Sequence, residues 1–423
     1  MIRVAVTGAG ASGITAALTA AGNGASVTVF ERNKTPGKKL SMTGNGRCNL
    51  THFPVDPGEY TGSFSKRAAD YQEDYGPMES VFLLDRAGIL TANADGYVYP
   101  MSFEAKTVSE LLTEAAVKAG VVFRCGECVK DVRHDGDGFV LCTDRGESRF
   151  DRVVMASGGL ARPDTGSDGL GYEIIKRLGI RVAPVLPALC PLKCRERDLK
   201  ELAGVRAKGR VSLIYDKGAG EPEIRGGVKN HPGGGLPEKD VIAAEEGEIQ
   251  FSADALSGIC VFNLTPHASP LLKAGRKLVI SADLSPDKEI DEVRQLIERL
   301  FDKSPCHKPA DVLKGMMNRK LASVVAKRAG ATGEGNDRDL IGRMAGVIKD
   351  MRFSVVSAYG FDRAQSSTGG VIAEETDDDL MSVRHKGLYF TGETLDICGP
   401  CGGYNLQWAW TTGLIAGKAV SRP

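Results

Sequence analysis

IRVAVTGAGASG, at residues 2–13, is the stretch that decides the fold of this 423-residue chain. It begins with a mostly apolar run, as in a strand buried inside a parallel sheet. Gly8, Gly10 and Gly13 then form G-x-G-x-x-G, and an alanine-rich helical run begins at Ala11. In such a motif the first glycine allows a tight turn, the second lets the backbone approach a pyrophosphate, and the third lets helix and strand pack closely. The order of strand, glycines and helix predicts a dinucleotide site at the helix N-terminus.

A second predicted strand, residues 26–30, leads to Glu31, which stands 18 positions after Gly13. A carboxylate at the end of this strand can accept both hydrogen bonds of a ribose diol. The βαβ unit is therefore complete. The motif by itself does not distinguish NAD from FAD.

The composition limits the classes of partner. Lys and Arg together number 54, as do Asp and Glu, so the formal net charge is zero and gives no electrostatic argument for a nucleic acid or a membrane. No apolar run reaches the roughly 18 residues of a transmembrane helix, and the N-terminus enters a strand without a signal-peptide pattern. The ten cysteines are scattered, which favours reduced thiols in a cytoplasmic protein. We expect a small-molecule substrate, and the oligomeric state stays open.

Two further motifs stand far apart in the chain. Residues 38–51 read KKLSMTGNGRCNLT, and their T-G-N-G-R-C-N core brings together backbone donors, an arginine and two asparagine amides. These groups suit the edges of a planar, heteroatom-rich ring such as isoalloxazine. Near the C-terminus, GLYFTGE at residues 387–393 is followed by GGYNLQWAW at residues 402–410. The second of these opens a predicted helix over residues 406–420, whose N-terminal amides are expected to face the ring.

These motifs resemble those of a family of bacterial FAD-dependent oxidoreductases. That family includes the aminoacetone oxidases and the flavin reductases of bile-acid dehydroxylation, and it belongs to the wider glutathione-reductase-like FAD fold. Because the motifs stand at opposite ends, the resemblance covers essentially the whole chain. It implies FAD as the cofactor and hydride transfer between flavin N5 and a small organic substrate.

The middle of the chain has a different pattern. Strand patterns at residues 205–213, 247–251 and 277–280 predict an all-β region from 205 to 282, and residues 287–350 carry apolar residues at helical spacing. We therefore predict an α/β fold, a Rossmann-like FAD-binding domain of residues 1–187 and 351–423. Inserted into it are a β-barrel-like domain, residues 188–286, and a helical lobe, residues 287–350.

The expected FAD contacts combine the N-terminal unit with positions that the resemblance implies, including the backbone of Val129 at the adenine edge. They are Gly8, Gly10, Ala11, Ser12, Gly13, Glu31, Arg32, Lys38, Lys39, Thr43, Gly44, Asn45, Gly46, Asn49, Val129, Ser157, Gly158, Gly392, Glu393, Gly403, Tyr404 and Asn405. A glycine-rich loop, DTGSDGLG at residues 164–171, is interpreted as lying near the same pocket. For catalysis, Asn45, Arg47 and Tyr404 are expected on the substrate side, with Cys48 near the redox face.

The main functional hypothesis is a reductase of an activated C=C bond, driven by NADH or NADPH. No second strand–G-x-G-x-x-G–helix unit follows Glu31, so a nicotinamide would bind transiently without its own Rossmann domain, or not at all. One alternative is an oxidase that uses O₂ and an amine such as aminoacetone. Another is a dithiol-linked flavoprotein, because Cys398-Gly-Pro-Cys401 matches the C-x-x-C of redox dithiols. A non-enzymatic flavin-bound protein that binds RNA or another protein is the third, and no metal site is expected.

Overall fold

The computed structural model describes residues 1–216, 241–305, 308–331 and 337–423. Contacts between Cα atoms divide the chain into two compact units. The first contains Met1–Pro187 and Phe361–Pro423, and the second contains Ala188–Gly360. The predicted FAD-binding segments, except residues 351–360, therefore fall in one unit, and each unit is described by itself below.

The elements follow in chain order. The first segment carries the strands β1 Arg3–Thr7, β2 Ser26–Glu31, β3 Thr51–His52, β4 Thr91–Ala94, β5 Tyr97–Pro100, β6 Val122–Cys125, β7 Val129–Asp135, β8 Gly138–Thr143, β9 Gly146–Phe150, β10 Arg152–Met155 and β11 Val182–Ala188, with the helices α1 Ala11–Gly22, α2 Ala68–Asp74, α3 Pro77–Arg86, α4 Ala105–Lys118 and α5 Leu170–Arg177. The middle segment carries the strands β12 Leu192–Cys194, β13 Arg206–Tyr215, β14 Val241–Phe251, β15 Ala255–Ser257, β16 Leu278–Asp283 and β17 Met351–Ala358, with the helices α6 Leu199–Leu202, α7 Ile259–Lys273, α8 Ile290–Lys303, α9 Pro309–Leu313, α10 Arg319–Arg328 and α11 Arg338–Lys349. The last segment carries the strands β18 Ser366–Val371 and β19 Leu388–Phe390 and the helix α12 Tyr404–Val420.

A parallel sheet forms the centre of the first unit, in the order β19-β10-β1-β2-β6. Val4 and Val6 of β1 and Val154 of β10 are fully buried against the helices α1, α4 and α12, and the other face of the sheet packs against β8 and β9. The predicted buried strand at the N-terminus is therefore confirmed. Strands β7, β8 and β9 form a separate antiparallel meander.

Helices α1 and α12 pack against each other through glycines. An ideal Cβ added to Gly413 would lie 2.7 Å from Thr15 Cβ, and one added to Gly417 would lie 2.6 Å from Thr19 Cβ. These contacts are closer than any side chain allows, so the absence of a Cβ sets the spacing of the two helices. The N-terminal βα unit and the C-terminal helix are thereby joined in one core.

The second unit contains a closed barrel in the order β12-β15-β14-β13-β16-β17. The inserted barrel and the helices that follow it, α8 to α11, confirm the predicted fold class. However, β17 pairs with both β16 and β12, so the residues from 351 to 358 complete the barrel and the second unit ends at Gly360 instead of residue 350. The reason is that a barrel closes only when its last strand pairs with the unpaired N–H and C=O groups of both neighbouring edge strands.

The all-β prediction for residues 205–282 was wrong for α7. This helix contains Pro266 and Pro270, which in the sequence argue against a helix interior. It forms because Val261, Leu264 and Ala268 are fully buried in the core of the second unit. Tertiary packing thus overrides the local helix-breaking pattern.

Candidate functional site

The carboxyl ends of β1, β2 and β10 open into a cavity that lies entirely within the first unit. It encloses about 1440 Å³ of space, including space that is open to solvent. Of the predicted FAD contacts, the following line it: Gly8, Gly10, Ala11, Ser12, Glu31, Arg32, Lys38, Lys39, Thr43, Val129, Ser157, Gly158, Glu393 and Asn405. Ligands of open α/β sheets bind at this end of the strands.

The glycines of the first motif have distinct positions. Gly8 has φ of +102°, and a Cβ there would lie 2.5 Å from the carbonyl oxygen of Ala156. A Cβ on Gly13 would lie 2.1 Å from the carbonyl oxygen of Gly8, which explains the close packing of helix on strand. For Gly10, in contrast, no atom of the described residues lies within 4 Å of the ideal Cβ. This open space, at the N-terminal cap of α1, is where a ligand can approach the backbone.

Glu31 is held in place by the backbone around it. Its Oε2 accepts a hydrogen bond of 2.9 Å from Ala9 N, and its Oε1 accepts bonds of 2.7 Å from both Asn33 N and Asn33 Nδ2. The residue is 8% exposed and lines the cavity. A carboxylate has about four lone-pair sites, of which three are used here, so Oε2 can still accept a hydrogen bond from one hydroxyl of a ribose.

Ser157 supplies an independent test of whether a dinucleotide fits. The residue lines the cavity, and its Oγ is buried and has no hydrogen-bond partner among the described residues. A buried hydroxyl without a partner is costly, and a bound phosphate or hydroxyl would satisfy it. Together with the open space at Gly10 and the carboxylate of Glu31, this donor set fits FAD.

Lys39 and Glu393 form an ion pair across another part of the cavity wall, with 2.6 Å between Nζ and Oε2. The other carboxylate oxygen accepts hydrogen bonds from Ser366 Oγ, Ser367 N and Ser367 Oγ at 2.8 to 3.1 Å. Burial by itself raises the pKa of the Glu393 carboxyl, but Lys39 and the Ser367 donors outweigh it, and the pKa lies below its usual value. The wall therefore carries a fixed carboxylate beside a fixed ammonium.

The structure places the other predicted residues outside the cavity lining, as far as the described residues define it. For FAD these are Gly13, Gly44, Asn45, Gly46, Asn49, Gly392, Gly403 and Tyr404. Of the residues expected in catalysis, Asn45 and Arg47 are exposed in the turn that follows Leu40. Their roles stay predictions.

Cys48 and Tyr404 are both buried. Cys48 is 0% exposed and packs in the core beside the central sheet, and burial raises the pKa of its thiol to about 11, although the hydrogen bond with Thr43 opposes this. Tyr404 is 8% exposed, and its hydroxyl accepts a hydrogen bond of 3.3 Å from Asp56 N. A thiol in this position contributes to packing instead of presenting a nucleophile.

The two sequence motifs, although more than 350 residues apart, form one hydrogen-bonded unit. Trp410 Nε1 donates to Leu50 O at 2.9 Å, and Thr51 Oγ1 donates to Gln407 Oε1 at 2.6 Å. Gly403 lies against Thr51, and an ideal Cβ added to Gly403 would be 2.6 Å from the carbonyl carbon of Thr51. This contact explains how two motifs that are far apart in the sequence come to lie side by side.

Glu127 is a cavity residue that sequence reasoning missed. It is 2% exposed and pairs with Arg124 at 2.9 Å, and no motif marks it. Gln365 and Ser366 reach the wall from the last segment of the chain. The loop at residues 164–171 does reach the wall from Thr165 to Gly171, which confirms its predicted position.

Two absences apply to the described residues alone. They contain no group of three or more His, Cys, Asp or Glu side chains that could hold a metal ion. Among them, no helix combines the length and the apolar character that crossing a membrane requires.

Comparison with known proteins places the chain among flavoenzyme relatives. The family described as HI0933-like protein Rossmann domain matches residues 2–419. The 3-dehydro-bile acid delta(4,6)-reductase of Clostridium scindens is 33% identical over 432 residues, covering 100% of this chain and 99% of that protein. The ribosomal RNA dihydrouridine synthase of Escherichia coli is 27% identical over 433 residues, covering 98% of each.

Solved structures share the fold. The 3-ketosteroid-delta4-(5alpha)-dehydrogenase from Rhodococcus jostii RHA1, in complex with 4-androstene-3,17-dione, aligns with a TM-score of 0.50 at 16% identity. The alignment covers 100% of this chain and 97% of that one. At this identity the likeness shows the fold alone.

Proposed function

Because the chain belongs to the HI0933-like Rossmann family, and is an FAD-dependent oxidoreductase, we propose that it reduces a carbon–carbon double bond conjugated to a carbonyl group, using NADH or NADPH as the electron donor. The observation that carries the proposal is the full-length similarity to a 3-dehydro-bile acid delta(4,6)-reductase. That name describes double bonds in conjugation with a ketone. Dihydrouridine, in the name of the second relative, is likewise a uridine whose carbonyl-conjugated double bond has been reduced.

The residues of the cavity would hold FAD at several points. The backbone at Gly10 and the N-terminus of α1 suit the pyrophosphate, Glu31 suits the ribose, and the Ser157 hydroxyl suits a phosphate or hydroxyl oxygen. When bound, FAD supplies the hydride-transfer chemistry. The chain itself binds and orients it, and the Lys39–Glu393 pair keeps one charge of each sign fixed in the wall.

The first experiment is the visible spectrum of the purified protein before and after anaerobic addition of NADH or NADPH. We expect flavin bands that bleach within seconds and return when an α,β-unsaturated ketone is added. Bands that persist with both donors but bleach with an amine would refute the reductase and favour the amine oxidase. A colourless protein that does not bind added FAD would refute both.

A matched pair of variants on α1 tests the cavity itself. Gly10→Val would fill the open space where the ligand approaches, so we expect it to lose FAD. Gly22→Val, at the other end of the same helix, also meets no atom of the described residues within 4 Å but lies away from the cavity lining. It should retain FAD, and equal loss in both variants would contradict the assignment of the site.

A second candidate substrate is a uridine in RNA, and the similarity to the ribosomal RNA dihydrouridine synthase favours it. The zero net charge of this chain does not support it. The two candidate substrates are distinguished by incubating the reduced enzyme with ribosomal RNA and, in parallel, with an enone. Dihydrouridine in the RNA, formed at a rate that falls steeply with salt, would favour the second candidate.

A further inference from the structure

We infer that Cys398 and Cys401 form a reversible dithiol–disulfide couple beside the FAD cavity, and that this couple exchanges with small-molecule disulfides. The proposed reductase activity does not require these thiols. The inference therefore adds a second redox group to the site and does not rest on the choice of substrate.

Both thiols lie next to residues that line the cavity. Cys401 Sγ is 4.0 Å from Gln365 Oε1, and Cys398 directly follows Ile397 in the chain. Gln365 and Ile397 both line the cavity. A change in the redox state of either thiol would therefore occur beside the FAD site.

The backbone of the loop is held on two sides. Cys398 and Thr61 exchange two hydrogen bonds, of 2.8 and 2.9 Å. The Asn405 side chain donates to Gly399 O at 2.8 Å and accepts from Gly399 N at 3.1 Å. This arrangement preorganises the C-x-x-C spacing, which is the spacing that redox dithiols use. It also connects the loop to Asn405, a residue of the cavity wall and of the first turn of α12.

The two cysteines differ in accessibility. Cys398 is 1% exposed, and burial raises the pKa of its thiol well above the usual value, as do the neighbouring Glu393, Cys401 and Asp396, while the Ser366 hydrogen bond opposes this. Cys401 is only partly buried. The thiolate is the attacking form, and it must reach its target, so Cys401 is assigned the first step and Cys398 the second.

The exchange proceeds in two steps. The Cys401 thiolate attacks one sulfur of a disulfide RSSR, the S–S bond breaks, and one RS⁻ leaves as a mixed disulfide forms on Cys401. The Cys398 sulfur then attacks Cys401 Sγ and displaces the second RS⁻. The two thiol protons of the protein end on the two released thiols. One RSSR is thus reduced to two RSH, and the dithiol is oxidised to one disulfide.

The test uses the full chain loaded with FAD and equilibrated with mixtures of reduced and oxidised glutathione. Acid quenching, alkylation and peptide mass spectrometry then identify the state of each cysteine. We expect a 398–401 disulfide that appears as the oxidised fraction rises and disappears when dithiothreitol is added. We also expect the visible bands of the bound flavin to shift between the two states, because the couple lies next to residues that line the cavity.

Three variants sharpen the result. In Cys398→Ser the mixed disulfide with glutathione should accumulate on Cys401, since the resolving thiol is gone. In Cys401→Ser the reaction of Cys398 with glutathione disulfide should slow by about tenfold or more, because the remaining thiol is buried. Cys142→Ser, which alters a partly buried cysteine away from the cavity lining, should leave the 398–401 exchange unchanged.

The inference is overturned if the two thiols stay reduced at every glutathione ratio, or if Cys398→Ser accumulates no mixed disulfide. Neither readout uses turnover. Failure of the proposed reductase, seen as flavin bands that do not respond to NADH or NADPH, is therefore distinguishable from failure of the thiol exchange.

Discussion

The close contact between α1 and α12 predicts that Gly413→Ala destabilises the protein. Helix propensity alone predicts the opposite effect. Replacing a helical glycine by alanine normally stabilises a helix by about 1 kcal/mol. In Gly413→Ala, however, the new Cβ would lie 2.7 Å from Thr15 Cβ and 2.8 Å from Ser12 O. Carbon atoms pack favourably at about 3.5 to 4.0 Å, so the helices must separate by about 1 Å. Overpacking of this kind costs about 1–3 kcal/mol, and against backbone atoms we take the upper end.

The net effect expected for Gly413→Ala is therefore a loss of about 2 kcal/mol of the free energy of unfolding. For a unit of this size that corresponds to a melting temperature lower by about 4–8 °C. The separation also moves the first turn of α1, where Ser12 lines the cavity, so FAD should dissociate more readily. Thermal unfolding is followed by circular dichroism, and FAD release by the rise of flavin fluorescence.

Gly346→Ala is the matched control. Gly346 lies inside α11, and no atom of the described residues lies within 4 Å of its ideal Cβ. The same substitution should there stabilise the protein by about 0.5–1 kcal/mol and leave FAD release unchanged. If Gly413→Ala raised the melting temperature as Gly346→Ala does, the reasoning from the close helix contact would be refuted.

Three other predictions test the core and the loops of the first unit. Gln407→Leu removes a buried side chain that is hydrogen-bonded to Thr51 of the first motif and to Ser80 of α3. It should lower the free energy of unfolding in urea by about 1–3 kcal/mol, and an unchanged midpoint would contradict this. In the native protein Cys48, with its thiol pKa raised to about 11, should resist iodoacetamide while Cys401 reacts, as peptide mass spectrometry can measure. Burial and the neighbouring His385 lower the pKa of His134, so the folded state binds fewer protons and stability should fall as the pH drops below about 6.5. Urea unfolding between about pH 7 and pH 5 checks this, and His134→Phe should weaken the pH dependence.

Part of the site was predictable because its constraints are local. Gly8, Gly13 and Glu31 occupy the positions that their spacing predicts, since a tight turn, a close helix contact and the end of a strand are each defined within a few residues. The same holds for the C-terminal helix, predicted over residues 406–420 and observed as Tyr404–Val420. Here the pattern of apolar and capping residues determines the element.

Other positions depended on burial, which a motif does not encode. Cys48 stands in the same motif as Thr43, yet Thr43 lines the cavity and Cys48 packs into the core. The two differ because the turn that begins at Leu40 directs one side chain outward and the other inward. A sequence motif indicates that a segment belongs to the site, but it does not tell which of its side chains face the ligand.

The sequence by itself determined the nucleotide-binding unit and the presence of an insertion, because glycine spacing and hydrophobic periodicity are properties of neighbouring residues. Only the tertiary structure decided that β17 completes the barrel and that Cys401 lies beside Gln365 of the cavity wall. It also decided that Gln407 joins two motifs more than 350 residues apart. These features depend on which distant residues exclude water from one another, and that is settled when the whole chain packs.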